Sequence, residues 1–193
     1  MIKKLEQIMN NRFVTLASFT VVLLLVTSIG SQNLSAYAAS TNPPSLGGGR
    51  YQFTDGLKIN GHVFDISKFS QKISTQNLSI GKSSVITLKI FDNHGPTTIK
   101  TALAYLNIRG PGSSISTSDT WIVCDMASGV SIHDPHHLLG KVNANLSVDG
   151  KFAYAIFNIT PKSKMDTSDM VLGAWDEDKA SIYSTVFSAI TFS

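Results

Sequence analysis

From Lys141 to Val148 the chain alternates without a break: Val142, Ala144, Leu146 and Val148 interleave with Lys141, Asn143, Asn145 and Ser147. Asp149-Gly150 then leads straight into a second run, Phe152–Ile159. A period of two places the apolar set on one face of a strand, whereas a helix would scatter it around its circumference. Asp-Gly between two such runs predicts a hairpin, because a type I′ turn needs φ > 0 at both central residues. One face of this hairpin must be buried and the other wet. A lone hairpin is marginal in water, so the rest of the chain has to complete a sheet.

The same period recurs downstream of residue 50. In Val85–Phe91, Ile86, Leu88 and Ile90 share a face. In Thr98–Arg109, Ala102, Ala104, Leu106 and Ile108 lie opposite Leu103 and Tyr105. Thr120–Asp125 sets Ile122 and Cys124 against Trp121 and Val123, and Met170–Trp175 and Ile182–Phe192 complete the strong set. Shorter extended segments are expected at Tyr51–Phe53, Leu57–Ile59, His62–Asp65 and Lys72–Ile80. No apolar stripe of helical period interrupts them. Seven to nine strands separated by turn-rich stretches predict an all-β antiparallel sandwich. The stretches Asp92–Pro96, Gly110–Ser118 and Pro161–Asp169 read as its loops.

The chain begins differently. Lys3, Lys4 and Arg12 stand against a single Glu6, and no charge follows from Phe13 to Gly49. An apolar run at 13–29 precedes Ala36-Tyr37-Ala38. A basic start, an apolar middle and an Ala-x-Ala site make a secretory signal cleaved after Ala38; the alternative is an uncleaved anchor helix over the same run. Both place the remainder outside the cell, secreted or at its surface, and contact with the membrane is confined to residues 13–29 if the segment stays. The organisation expected is thus a signal or anchor at 1–38, a linker at 39–49 that is rich in Pro, Gly and Ser, and a sandwich at 50–193.

Removing residues 1–38 changes the charge. The whole chain carries 16 Lys and Arg against 13 Asp and Glu; the remainder keeps 13 against 12, spread singly. Nucleic acid needs a concentrated cationic face, and none exists. One Cys excludes an internal disulfide and a Cys-rich metal site. No nucleophile elbow, zincin helix, Walker loop or dinucleotide fingerprint occurs, and the exported part has one Glu, so no enzyme activity is expected.

Candidate ligands concentrate in His133-Asp134-Pro135-His136-His137. Imidazoles suit copper or zinc, and His94 in the Asp92–Pro96 turn is a further candidate. Asp134 before Pro135 reads as the cap of a single helical turn ended by Gly140; there His136 and His137 diverge by about 100°, so only one can join His133. A blue-copper arrangement fails on spacing, with nine residues from Cys124 to His133 and no Met before Met165. Asp176-Glu177-Asp178, like Asp166 and Asp169, reads as a solvated turn rather than a calcium loop. Sequons stand at Asn77, Asn145 and Asn158.

The stretch from Ile132-His133-Asp134-Pro135 through Phe152–Ile159, Pro161-Lys162-Ser163 and Asp169–Asp176 (DMVLGAWD) resembles exported β-sandwich surface proteins of archaea, as does Val85–Leu106 around Phe91-Asp92-Asn93-His94-Gly95-Pro96. The resemblance implies an immunoglobulin-like sandwich at the cell surface and carries over no catalytic residue. Two functions follow. The first is a non-enzymatic surface or envelope module without a cofactor, which meets protein partners through the polar sheet face of Lys141, Asn143, Asn145 and Ser147 or the 110–118 loop. The second is an extracellular copper or zinc binder using His133 with His136 or His137, and His94.

Overall fold

Along Ser84–Phe91 burial alternates residue by residue, and it does so again along Phe152–Pro161, as the period of two dictates. The computed structural model describes residues 42–48, 54–66, 69–109 and 114–193. The expected export segment at 1–38, the extended segment at Tyr51–Phe53 and part of the 110–118 loop lie outside these. Among the described residues no helix is long and apolar enough to cross a membrane. Asn42–Ser193 form one compact unit.

Thirteen strands follow one another: β1 (Ser45–Leu46), β2 (Leu57–Ile59), β3 (His62–Phe64), β4 (Ser70–Lys72), β5 (Gln76–Leu78), β6 (Ser84–Phe91), β7 (Ile99–Ile108), β8 (Ser118–Asp125), β9 (Gly129–His133), β10 (Leu139–Asp149), β11 (Phe152–Pro161), β12 (Met165–Asp176) and β13 (Ser181–Phe192). The first sheet runs β10-β11-β6-β2-β3, with β1 also on β6; the second runs β4-β13-β12-β7-β8-β9, with β5 also on β13. Between the sheets lies one core, with Leu57, Ile86, Leu88, Ile90 and Phe157 from the first and Ala102, Leu106, Ile122, Leu172 and Ile190 from the second. The order β2-β6-β11-β10 on one side, extended by β1 and β3, and a β13-β12-β7 sheet widened by the hairpin strands β8 and β9 on the other is the order of a variable-type immunoglobulin sandwich. The chain is an all-β sandwich of that immunoglobulin-like class.

Several expectations change in detail. Strands number more than the seven to nine expected, because Lys72–Ile80 divides into β4 and β5 and because β1 and β9 are added. The sandwich is not wholly antiparallel: β4 and β5 both run parallel to β13, since the chain crosses from β3 to the far edge of the other sheet before turning back into β6. Ser45–Leu46 fall inside the expected 39–49 linker but pair with Phe91 and Ile90. Leu46 is the reason, the one large apolar side chain there, and it is buried. The hairpin turn also shifts by one residue. Asp149 pairs with Phe152, so the loop is Gly150-Lys151, and only Gly150 has positive φ (58°), the signature of a type II′ turn rather than I′. Finally, β12 begins at Met165, inside the expected 161–169 loop, and absorbs its polar residues through irregularities at Met165/Ser168 and Ser168/Met170.

Candidate binding face and the histidine loop

The outer face of the larger sheet is built from three cross-strand rows. One row is Thr185–Val171–Tyr105–Trp121–His133, the next Tyr183–Gly173–Leu103–Val123–Ser131, and the third Ser181–Trp175–Thr101–Asp125–Gly129. Directly opposed residues lie on the same face. The face therefore gathers both tryptophans of the chain and two of its five tyrosines, and Asp125 is the one charged side chain in the three rows. Trp121 stacks on His133 with ring centroids 5.4 Å apart, and Trp175 meets Tyr183 edge-on at 5.7 Å. Leu103 and Val171 of this face are buried yet stand outside the inter-sheet core. Burial, and then the neighbouring Tyr105, push the Tyr183 hydroxyl above its usual pKa.

Both ends of the face are polar. At one end Lys100 pairs with Glu177 at 3.5 Å, beside a groove of about 370 Å³ that reaches Thr101, Trp175 and Lys179. At the other end Asp119 Oδ2 receives Arg109 Nε at 3.1 Å and faces His136 Nε2 at 2.8 Å, while the Asn107 amide donates to Asp119 Oδ1. Asp125 is held by Thr101 Oγ1 (2.6 Å) and by the amide of Ser128 (2.8 Å), the Ser128 hydroxyl (3.0 Å) and the amide of Ala127 (3.0 Å). These donors, Thr101 foremost, lower its pKa to about 2. Because the folded value lies below the unfolded one, the stabilisation is complete above about pH 4 and is lost as pH falls through about 2. Asp125→Ala should therefore unfold at a lower temperature than the native chain at pH 6, with the gap closing between about pH 4 and pH 2.

The expected metal set, His133 with His136 or His137 and His94, is not brought together among the described residues. His133 ends β9 and lies against Trp121 on the outer face. His136 is engaged by Asp119. His137 adopts φ 52°, and its carbonyl accepts the Ser163 hydroxyl at 3.1 Å. His94 sits near Asp92, Nδ1 to Oδ1 3.5 Å, in the connection that enters β7 at Ile99. His133 is level with Tyr105, six residues further along β7, which is about 20 Å. The 134–138 segment is a turn and not a helix, because Asp134 bonds forward to the amides of Leu138 (3.0 Å) and Leu139 (2.8 Å) and draws the chain directly into β10. Cys124 points inward beneath β10 while His133 points outward, so the two cannot meet on one ion. Burial, and then the charge of Asp125, raise the Cys124 thiol pKa, which leaves it an inert core group. Among the described residues no group of three His, Cys, Asp or Glu is placed to hold a metal.

The acidic turn differs from expectation as well. Asp176 is buried, and its Oδ1 accepts the Ala180 amide at 2.8 Å. Asp92 is buried too and bonds His94 N at 2.7 Å; each leaves Oδ2 without a partner. Both residues continue the inward alternation of their strands past the last apolar position. The sequons also separate by position: Asn145 is exposed, Asn158 is half-buried in the middle of its sheet, and Asn77 accepts a hydrogen bond from Ser193 Oγ at 2.7 Å.

No protein-family model matches the chain, and no curated protein matches it. Among solved structures it is similar to a chain from work on the multimeric cell-adhesive interactions of VGSC beta subunits: 11% identity, 66% of this chain and 94% of that one, TM-score 0.41.

Proposed function

We propose that the chain is an exported, non-enzymatic module that binds protein partners at the cell surface through the outer face of its larger sheet. The observation that carries this reading is the composition of that face: two Trp and two Tyr in three rows whose only charge is Asp125, with ion pairs confined to the ends. Protein interfaces have this anatomy, an aromatic centre depleted of charge inside a polar rim, and Trp and Tyr supply most of their hot spots. The polar face of Lys141, Asn143, Asn145 and Ser147 has no comparable anchor. The basic start and the Ala-x-Ala site support export, and the absence of a cofactor belongs to the same reading.

A photo-crosslinking side chain placed at Val123 tests the choice of face against one at Asn145, with the protein expressed on its own cells. Crosslinked partners are expected from position 123 and lost when Trp121→Ala and Trp175→Ala are added. Products from position 145 alone would return the interaction to the polar face.

A further inference from the structure

The two sheets end unevenly along one side of the sandwich. β10 is the edge of the first sheet and β9 the edge of the second. Cys124 on β8 lies against the backbone of Leu146, so β10 sits over β8 and β9 projects one strand further. The consequence is visible in burial. Val130 and Ile132 oppose Cys124 and Ile122, and so share their inward face, yet they are 39% and 46% exposed. Val148 opposes Ala153, also inward-facing, and is 50% exposed. Val130 and Ile132 thus point into a space where the first sheet lacks a strand, and Val148 stands on the strand that borders it.

The projecting strand is also undefended. Natural edge strands are blunted by Lys, Pro, bulges or shortness. Residues 129–133 are Gly-Val-Ser-Ile-His, paired with β8 in unbroken register. By contrast β10 carries Lys141 and an irregularity between Leu139 and Val142, while the opposite edges, β3 and β4, are three residues each.

We propose that this step is the interface of a twofold dimer, in which the projecting β9 of each copy fills the place beside β10 of the other. β9 and β10 are joined by the turn at 134–138, so they run in opposite directions. A twofold axis parallel to the strands, midway between the sheets, preserves strand direction and brings the second copy's β9 beside β10 as an antiparallel neighbour. The same operation lays it over the first copy's β9. Val130 and Ile132 of the two copies then face each other as a continuation of the core, and two new backbone ladders close both exposed edges. The contact is isologous, as a closed dimer requires. Because β9 bears no formal charge, nothing of like sign opposes Lys141 or Asp149. A second copy fits better than a foreign strand because one rotation answers both defects: the strand missing from the first sheet and the unpaired edge of the second.

Sedimentation velocity of the full chain, in a mild non-ionic detergent that disperses the 13–29 run, provides the test. The native chain is expected to show a monomer–dimer equilibrium, and Val130→Lys/Ile132→Lys to remain monomeric at concentrations at least tenfold higher. Both sites are already half exposed, so this variant should unfold at the native temperature. A native chain that is monomeric throughout overturns the proposal, as does a double-lysine variant that dimerises normally. Trp121→Ala/Trp175→Ala should dimerise like the native chain; loss of dimer there would move the contact to the aromatic face and overturn the edge interface, leaving the surface-module reading intact.

Discussion

Phe157→Ala should lower stability by about 3–5 kcal/mol, read as a shift of the chemical-denaturation midpoint at unchanged slope. Phe157 is fully buried on β11, a strand flanked on both sides, and its cross-strand partners are Ala144 and Ile86. The core it belongs to holds several small residues, Ala153 and Ala155 on its own strand, Ala144 on β10, and Ala102 and Ala104 on β7, beside the larger Ile86 and Ile159. None of the alanines can reach into the space the ring would vacate, and Ile86 is fixed in the ladder beside it. The cavity term therefore adds to the lost transfer energy. Phe152, five residues earlier, faces outward beneath Lys89 Nζ at 4.3 Å and is only half buried, so Phe152→Ala should cost much less. Equal losses at the two positions would mean that the sheets are not packed through the Phe157 layer.

What the residues disclose in advance is whatever the period of two controls. The inward sets of β6, β8, β10 and β11 are readable one by one, because a single misplaced register would send a run such as Ile86, Leu88 and Ile90 to the solvent. Cys124 is legible as a core residue for the same reason. The binding face is only half legible. Leu103, Tyr105, Trp121 and Val123 can be assigned to outward positions on two strands, but nothing in the sequence says that β7 and β8 are neighbours or that β12 and β13 bring Trp175 and Tyr183 alongside. Cross-strand adjacency is a property of topology. His133 illustrates the opposite failure. Its proximity in sequence to His136 and His137 suggests shared chemistry, yet it ends a strand of only five residues, whose two apolar positions, Val130 and Ile132, are too few to mark it in the sequence. Asp176 misleads in its own way, because an acidic tripeptide before Lys179 reads as solvated whereas the strand's phase carries its first member into the interior.

Gly173→Val should be the most damaging change on the aromatic face, lowering stability by about 1–3 kcal/mol and altering tryptophan emission. A Cβ at residue 173 would lie 2.8 Å from Tyr183 Cδ1 and 2.9 Å from the Ile182 carbonyl oxygen. The ring can swing aside, but the carbonyl belongs to the strand paired with β12 and can retreat only if the ladder opens. Glycine inside a strand ordinarily weakens it and signals a close approach, and here the close approach is that of Tyr183, which lies over the bare backbone and meets Trp175. The two clashes can be separated. Tyr183→Ala removes the ring contacts and leaves the carbonyl, so combining it with Gly173→Ala should recover part of the loss caused by Gly173→Ala alone and never all of it. Full recovery would place the whole constraint on the ring. An alanine tolerated at 173 without cost, with the tyrosine in place, would mean that Tyr183 does not rest on this glycine, and the outer face would lose the packing that holds its two aromatic pairs in one sheet.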